Sequence, residues 1–167
     1  DFIKSKVIPE ILEKLSPGEE LKVWVAGCAT GEEAYSLAIL IHEQLTGKYK
    51  DTGVKIFATD IDEVALVQAG KGLYPLAVEK DVPADQLEKH FLKQEENYLI
   101  NHEIRKMVIF AKHDLVKNPP YCNMHLISCR NVMIYFNKRL QNRVFGLFHE
   151  SLCHRGFLAL GSKESID

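Results

Sequence analysis

The chain has 167 residues, enough for one domain with a full core, and its 46% hydrophobic and 26% charged content is that of an ordinary soluble globular protein. A formal net charge of -2 argues against a nucleic-acid footprint or an anionic membrane surface as the main partner. No apolar run approaches the roughly 18 residues of a membrane span, and the opening DFIKSKVIPE carries charge too early to read as a signal peptide.

The first apolar set, Ile3, Val7, Ile11, Leu12 and Leu15, has helical spacing, with Pro9 as a kink or late start and Ser16-Pro17-Gly18 as the stop. Residues 22–27 read as a buried strand. Ala34, Leu37, Ala38, Ile41 and Leu45 mark one face of a helix from Gly31. A second strand over Val54–Thr59 ends in Asp60-Ile61-Asp62, where Asp62 suits the cap of a helix running through Val64 and Val67 to Gly70. Residues 71–83 read as irregular and Asp85–Phe91 as a short helix. Two alternating runs near 91–94 and 97–101 suggest a small hairpin. Met107–Lys112 and His125–Cys129 are the third and fourth long strands. Asn137 caps a helix with Leu140, Val144, Leu147, Phe148 and Leu152 on its inner face. His154 and Arg155 suit its C-terminus and Gly156 the position just past it, before a fifth strand over Phe157–Leu160.

Strands alternating with helices predict an α/β fold: a mostly parallel sheet covered on both faces. Ligands in such sheets bind beyond the carboxyl ends of the strands. The unusual polar residues fall at those ends, in 27–33, 60–62, 113–115 and 129–135. The four cysteines form no C-x-x-C pair, and Cys28 and Cys129 close apolar runs as small hydrophobes would. We expect a reducing, cytoplasmic compartment and no metal.

The segment VWVAGCATGEEAYSLA joins a strand to a helix through Gly27 and Gly31. One reading is a tight turn in which Glu32 and Glu33 complement the helix dipole. A dinucleotide site fails on spacing, because the pattern is G-x-x-x-G rather than G-x-G-x-x-G, and on charge, because two carboxylates would face a pyrophosphate. A cationic, phosphate-free nucleoside such as S-adenosylmethionine (SAM) fits better. Glycines let the backbone approach, Glu32 suits its ammonium, and Asp60 suits its paired ribose hydroxyls, with Asp62 left as the helix cap. Asp114, in His113-Asp114-Leu115, is either an acceptor for an adenine amino group or a plain loop acid.

The run SCRNVMIYFN, residues 128–137, leaves the fourth strand toward the glycine turn. Arg130 and Asn131 suit loop backbone or ligand, with a salt bridge from Arg130 to Glu32 or Glu33 as the structural alternative. Tyr135 is placed to direct a hydroxyl at a reacting centre. The tetrapeptide Asn118-Pro119-Pro120-Tyr121 matches the NPPY signature of DNA adenine methyltransferases, yet it follows the third strand rather than the fourth. Two prolines between strands are ordinary turn chemistry.

Taken in order, VWVAGCATGEEAYSLA, FATDID, HDL, LISCRNVMIYF and LALGSKES resemble the CheR-type chemotaxis receptor methyltransferases over nearly the whole chain. The resemblance implies a class I SAM-dependent methyltransferase (Rossmann-like) fold. It also implies methyl transfer to glutamate side chains of chemoreceptors, giving methyl esters and S-adenosylhomocysteine. By position, Ala26 and Glu32 would contact the methionine part of SAM. Asp60 would hold the ribose, Asp114 and Leu115 would frame the adenine, and Arg130 and Tyr135 would lie near the transferred methyl. A hairpin within about 86–104 would match the family's β-subdomain, which docks a receptor tail in some members; here it is short. The sequence departs from the family at Ala34 (commonly Pro), His125 (commonly Asp) and Lys163 (commonly Ser). The family's N-terminal helical domain, its T-x-F-F-R segment and a C-terminal strand pair have no counterpart in these residues, so we expect a fragment or a part of a larger multidomain chain. A non-catalytic SAM- or nucleoside-binding sensor module is the alternative from another class.

Overall fold

Leu21–Ala26 (β1) is a run of apolar side chains with no polar face, the pattern of a strand covered on both sides, and every residue of it except Lys22 is buried. It lies at the centre of a five-stranded sheet. On one side it pairs with Val54–Asp60 (β2), which pairs with Val108–Lys112 (β6). On the other it pairs with Met124–Cys129 (β7), which pairs with Leu152–Leu160 (β8). All four pairings are parallel. The order β6-β2-β1-β7-β8 reverses direction at β1, so the crevice for a ligand opens between the carboxyl ends of β1 and β7. The computed structural model describes residues 2–130 and 132–161; Asn131 and the end of LALGSKES, including Lys163, lie outside them.

Helices cover both faces, as the parallel crossovers require. A π-helical turn over Ile3–Val7 runs into Ile8–Lys14 (α1), where Pro9 lacks an N–H for the preceding turn and the Lys4 carbonyl accepts from Gln44 Nε2 at 2.9 Å instead. Glu32–Gln44 (α2) buries Ala34, Leu37, Ala38 and Ile41 as its spacing predicts. It also buries Tyr35 and Ile39, because a second layer packs on its outer side. Asp62 caps Glu63–Lys71 (α3), its carboxylate accepting from the backbone N–H of Val64 and Ala65. Val64 and Val67 face solvent on this helix, at 74% and 61% exposure. Asn137 caps Lys138–Ser151 (α6) through the N–H of Leu140.

The second layer is a small antiparallel sheet. Phe91–Lys93 (β4) and Asn97–Ile100 (β5) form the expected hairpin after Ala84–His90 (α4), with the single turn His102–Arg105 (α5) following. A third strand, Leu73–Pro75 (β3), corrects the irregular reading of 71–83. Three residues with two flanking glycines and a proline carry no periodicity; Tyr74 becomes a strand residue only by pairing with Tyr98 and burying its ring. Gly72, with φ +64°, makes the turn into it, and a Cβ there would meet Ile100 Cγ2 at 2.4 Å.

The end of α6 is the second correction. The helix stops at Ser151, whose hydroxyl bonds the carbonyl of Tyr121, and not at His154–Arg155. Leu152 is already extended and opposite Met124, while Phe157 is opposite Leu126, so the residues between form a bulge with Arg155 at φ +63°. Gly156 lies against the carbonyl of Met124, where a Cβ would sit at 3.0 Å, so it serves the sheet rather than the helix end.

The core has two parts, one between the sheet and the α1, α2 and small-sheet side, the other between the sheet and α6. Trp24 anchors the second. Its ring is 1% exposed, it meets His113, Tyr121 and Phe148 edge to face, and its Nε1–H donates to Thr59 Oγ1 at 2.9 Å. Truncating such a ring costs about 3–5 kcal/mol.

Candidate functional site

The glycine turn is folded by alternating backbone handedness. Gly27, Ala29 and Gly31 have φ of +74°, +49° and +92°. Gly27 and Cys28 both donate their N–H groups to the carbonyl of Thr59 at 2.8 Å, which stitches the turn to β2. A Cβ on Gly27 would stand 2.2 Å from Val132 Cγ2, so the turn and the segment after β7 approach more closely than any side chain allows. Ala29 pays left-handed strain of about 1 kcal/mol, and its N–H is held by Asp60 Oδ2 at 2.8 Å. Cys28 is buried below the turn; burial first, then the charge of Asp60, pushes its thiol up to about 12.

Asp60 ends β2. Its other oxygen, Oδ1, accepts from the N–H of Asp62 at 2.9 Å. Each carboxylate oxygen therefore has one backbone partner, and about two of its four acceptor sites stay open. Next along the rim, Asp114 accepts from Val116 N at 2.8 Å and Lys117 N at 3.2 Å, both on Oδ1. The bond from Val116 is the main reason its carboxyl lies below the usual range. Asn118 closes the same loop by accepting from Asp114 N, and His113 Nε2 lies 2.8 Å from the carbonyl of Pro119. That contact fixes the proton on Nε2 and leaves Nδ1 a buried acceptor with no hydrogen-bond partner among the described residues.

These groups share one pocket of about 590 Å³, walled by Gly27, Asp60, Ile61, His113, Asp114, Leu115, Val116, Lys117, Val132, Tyr135 and Phe136. Of the residues expected from sequence, Gly27, Asp60, Asp114, Leu115 and Tyr135 meet there. Ala26 is buried one residue behind Gly27. Gly31 is backed by Ala69 and Phe110 and shapes the turn from outside the wall. Glu32 also stands outside it: its carboxylate takes the Thr30 hydroxyl, and it borders the cleft between α2 and the small sheet. Arg130 is not a wall residue; its Nη1 lies 3.7 Å from Glu33 Oε1, which is the salt-bridge alternative. Asn131 falls outside the described residues.

Ile61, His113, Val116, Lys117, Val132 and Phe136 were not singled out. They adjoin Asp60, Asp114 and Tyr135 in sequence, and taking whole strand ends rather than single polar residues would have found them. The NPPY tetrapeptide is consumed by packing: Pro119 receives His113, and the Tyr121 ring stacks on Phe57 at 4.9 Å.

The family model described as "CheR methyltransferase, SAM binding domain" matches residues 1–167. The chain belongs to the CheR methyltransferase family. It is 42% identical to a putative methyltransferase, Cher3, of Pseudomonas putida, covering 95% of this chain and 59% of that protein. It is 34% identical to a chemotaxis protein methyltransferase of Borreliella burgdorferi, covering 99% and 60%. The CheR chain thus spans about three fifths of the length of these relatives. An uncharacterized 104.1 kDa protein of Rhodobacter capsulatus is 37% identical over 98% of this chain but only 17% of its own length. Among solved structures, a TehB-like SAM-dependent methyltransferase of Corynebacterium glutamicum aligns with TM-score 0.50 at 15% identity, covering 92% of this chain and 60% of that one. A complex of DhpI with S-adenosylhomocysteine aligns with TM-score 0.53 at 12% identity, covering 95% and 60%. These two show the fold: the class I SAM-dependent methyltransferase sheet expected from sequence.

The cofactor of this CheR domain is S-adenosylmethionine, and the pocket is chemically fit for it. The Gly27 cradle admits close backbone contact, and Asp60 retains open acceptor sites. Two carboxylates against one lysine suit a cation better than a phosphate.

Proposed function

We propose that this domain serves a methyltransferase that esterifies glutamate side chains of chemoreceptor cytoplasmic domains. The observation that carries the reading is that Gly27, Asp60, Asp114, Leu115 and Tyr135, drawn from four separate strand ends, line one pocket in a CheR-family fold. SAM supplies a methyl carbon on a cationic sulfur, to be taken up by a substrate carboxylate oxygen while the carbon–sulfur bond breaks and its electron pair stays on sulfur.

The chain's own residues bind, orient and exclude water. Asp60, held still by Ala29 and Asp62, accepts the ribose hydroxyls on its open sites. Ile61 and Leu115 give the adenine apolar surface, and Asp114 offers an acceptor to its amino group. Ala26, Gly27 and Gly31 set the turn that meets the methionine end. Glu32 is exposed and leaves Thr30 to reach the ammonium. Arg130, beside Glu33, supports the loop after β7. Tyr135, 80% exposed at the mouth, and Arg130 align the incoming carboxylate. A glutamate with a reference pKa of about 4.3 is already ionised at neutral pH, so no general base is needed. Orientation and desolvation of opposite charges provide the acceleration.

Calorimetry with SAM, followed by transfer of labelled methyl from the full-length protein to a receptor cytoplasmic fragment as a base-labile ester, tests this. Tight SAM binding with ester formation is the expected result. Binding without transfer would favour the sensor module, a reading supported by Arg130 and Glu32 standing outside the pocket wall. Transfer to adenine in DNA is disfavoured by the net charge of -2 and the structural use of NPPY. No helix of the described residues is long and apolar enough to cross a membrane.

A further inference from the structure

The outer face of α6 carries charge that the fold does not use. Lys138 and Arg139 lie in its first turn, Arg143 lies one turn beyond Arg139, and all three are exposed. None of them is in an ion pair among the described residues. A helix N-terminus is the positive end of its dipole, so cations there weaken the helix. Each of the other described α-helices has Asp or Glu in its first turn, and α6 has neither.

Gly146 is an independent observation on the same face. It follows Arg143 by three residues and Arg139 by seven, so helical spacing puts all three on one side. It is exposed, and a Cβ built on it would meet nothing within 4 Å. Gly in a helix interior is less stable than Ala, and no contact within the domain requires it here. On an open helix face it leaves room for another backbone to come close.

This face begins at the pocket. Gln141 Nε2 donates to the carbonyls of Met133 at 2.8 Å and Phe136 at 3.0 Å, which ties the start of α6 to the segment that brings Tyr135 and Phe136 into the pocket wall. From Lys138 to Gly146 the helix rises about 12 Å. The cations therefore stand within a few turns of the mouth where a substrate carboxylate enters. We infer that the outer face of α6 is a docking track for an acidic helix of the substrate protein. Arg139 and Arg143, one turn apart, meet carboxylates one turn apart on that helix, and Gly146 lets its backbone settle close. This deepens the proposed function and rests on entry of the carboxylate at Tyr135. Charge complementarity selects the partner: a membrane or a nucleic-acid duplex is broad enough to meet the rest of a domain whose net charge is -2, whereas a helix needs only the strip.

The test uses the full-length protein, a receptor cytoplasmic fragment and labelled SAM, with fragment binding read separately by calorimetry in the presence of S-adenosylhomocysteine. The double variant Arg139→Gln/Arg143→Gln should raise the KM and Kd for the fragment about five- to tenfold, the scale of two charge contacts at an interface rim, with kcat and SAM affinity unchanged. Salt should weaken wild-type binding, and the double variant should lose most of that dependence. Gly146→Gln fills the face without changing its charge and should raise the fragment Kd about threefold, while its melting temperature holds or rises because Gln is the better helix former. A merely structural role would instead lower the melting temperature of both variants and leave fragment affinity alone.

Unchanged fragment affinity in the double variant overturns the inference. Loss of binding to phosphatidylglycerol vesicles or duplex DNA in that variant, with fragment affinity intact, overturns it too and assigns the face to those partners. If the wild type binds the fragment through these cations yet transfers no methyl to it, the track stands and the receptor methyltransferase reading fails. If wild type and double variant methylate the fragment with the same KM, that reading stands and the track fails. A wild type that neither binds nor methylates the fragment overturns both.

Discussion

The two ends of the β1–β7 pair use polar side chains in opposite ways. At the amino end, His125 Nδ1 accepts from the backbone N–H of Lys22 at 3.0 Å, and its Nε2 lies 3.2 Å from Glu19 Oε2. Both ring nitrogens are spent on the fold. At the carboxyl end, Asp60 spends about half its acceptor capacity and Asp114 bonds the backbone through Oδ1 alone, and both line a pocket. Saturated polar groups hold strands together. Groups left partly unsatisfied keep acceptor sites for another partner, and Asp60 and Asp114 keep theirs at the switch point.

Glycine substitution should separate the ends most sharply. Gly27→Ala adds both a positive-φ penalty and the clash with Val132, so it should destabilise the domain by about 2–4 kcal/mol in urea unfolding and abolish SAM binding. Gly18, with φ +80° and no atom within 4 Å of a built Cβ, is its counterpart at the amino end. Gly18→Ala should cost only about 1 kcal/mol and leave SAM affinity alone.

A smaller contrast comes from the side chains. Asp60→Ala should weaken SAM binding by about 1–3 kcal/mol, as for a lost hydrogen bond to a charged group. His125→Ala should lower stability by about 1–2 kcal/mol by orphaning Lys22 N–H, while SAM affinity measured by calorimetry moves by less than about 0.5 kcal/mol. Equal losses of affinity in the two variants would erase the distinction between the ends.

Acid provides a third probe. The backbone N–H of Ser16, then the hydrogen bond with His125, hold the Glu19 carboxyl below its ordinary value of 4.5. A carboxyl depressed in the folded state stabilises fully above its unfolded pKa, and that contribution is lost as pH falls through the folded value. Stability should therefore decline below about pH 4.5, with a shallower slope in His125→Ala. Asp114, depressed mainly by Val116 N–H, adds a slope of the same sign at the other end, and Asp114→Asn should remove it.

The smallest effect is chemical. Cys28, with its thiol pushed up to about 12 and its side chain buried, should resist alkylation at pH 8 while exposed Cys122 reacts. Labelling of Cys28 at a comparable rate, read by mass spectrometry, would mean that the turn opens.

Much of this was legible before any coordinates. The alternation of apolar strands with helical spacing, the Asp62 and Asn137 caps, and the placing of Asp60 at a strand end all depend on neighbours within a few residues, where backbone geometry dictates pattern. The motifs from AGCATGEE to CRNVMIYF carried the family. Tertiary structure decided the rest, because it depends on what lies across space. Leu73–Pro75 is a strand only because Tyr98 pairs with Tyr74. Leu152 leaves the helix only because Met124 is there to receive it. Sequence placed two glutamates, Glu32 and Glu33, and an arginine, Arg130, near the crevice. Only the packing of β7 beside β1 decided that Glu33, held by Ser128, faces Arg130, while Glu32 turns to Thr30 and Glu19 stays at the far end with His125. Which carboxylate meets which cation is set by distances of a few ångströms between strands far apart in the chain, and no local pattern encodes them.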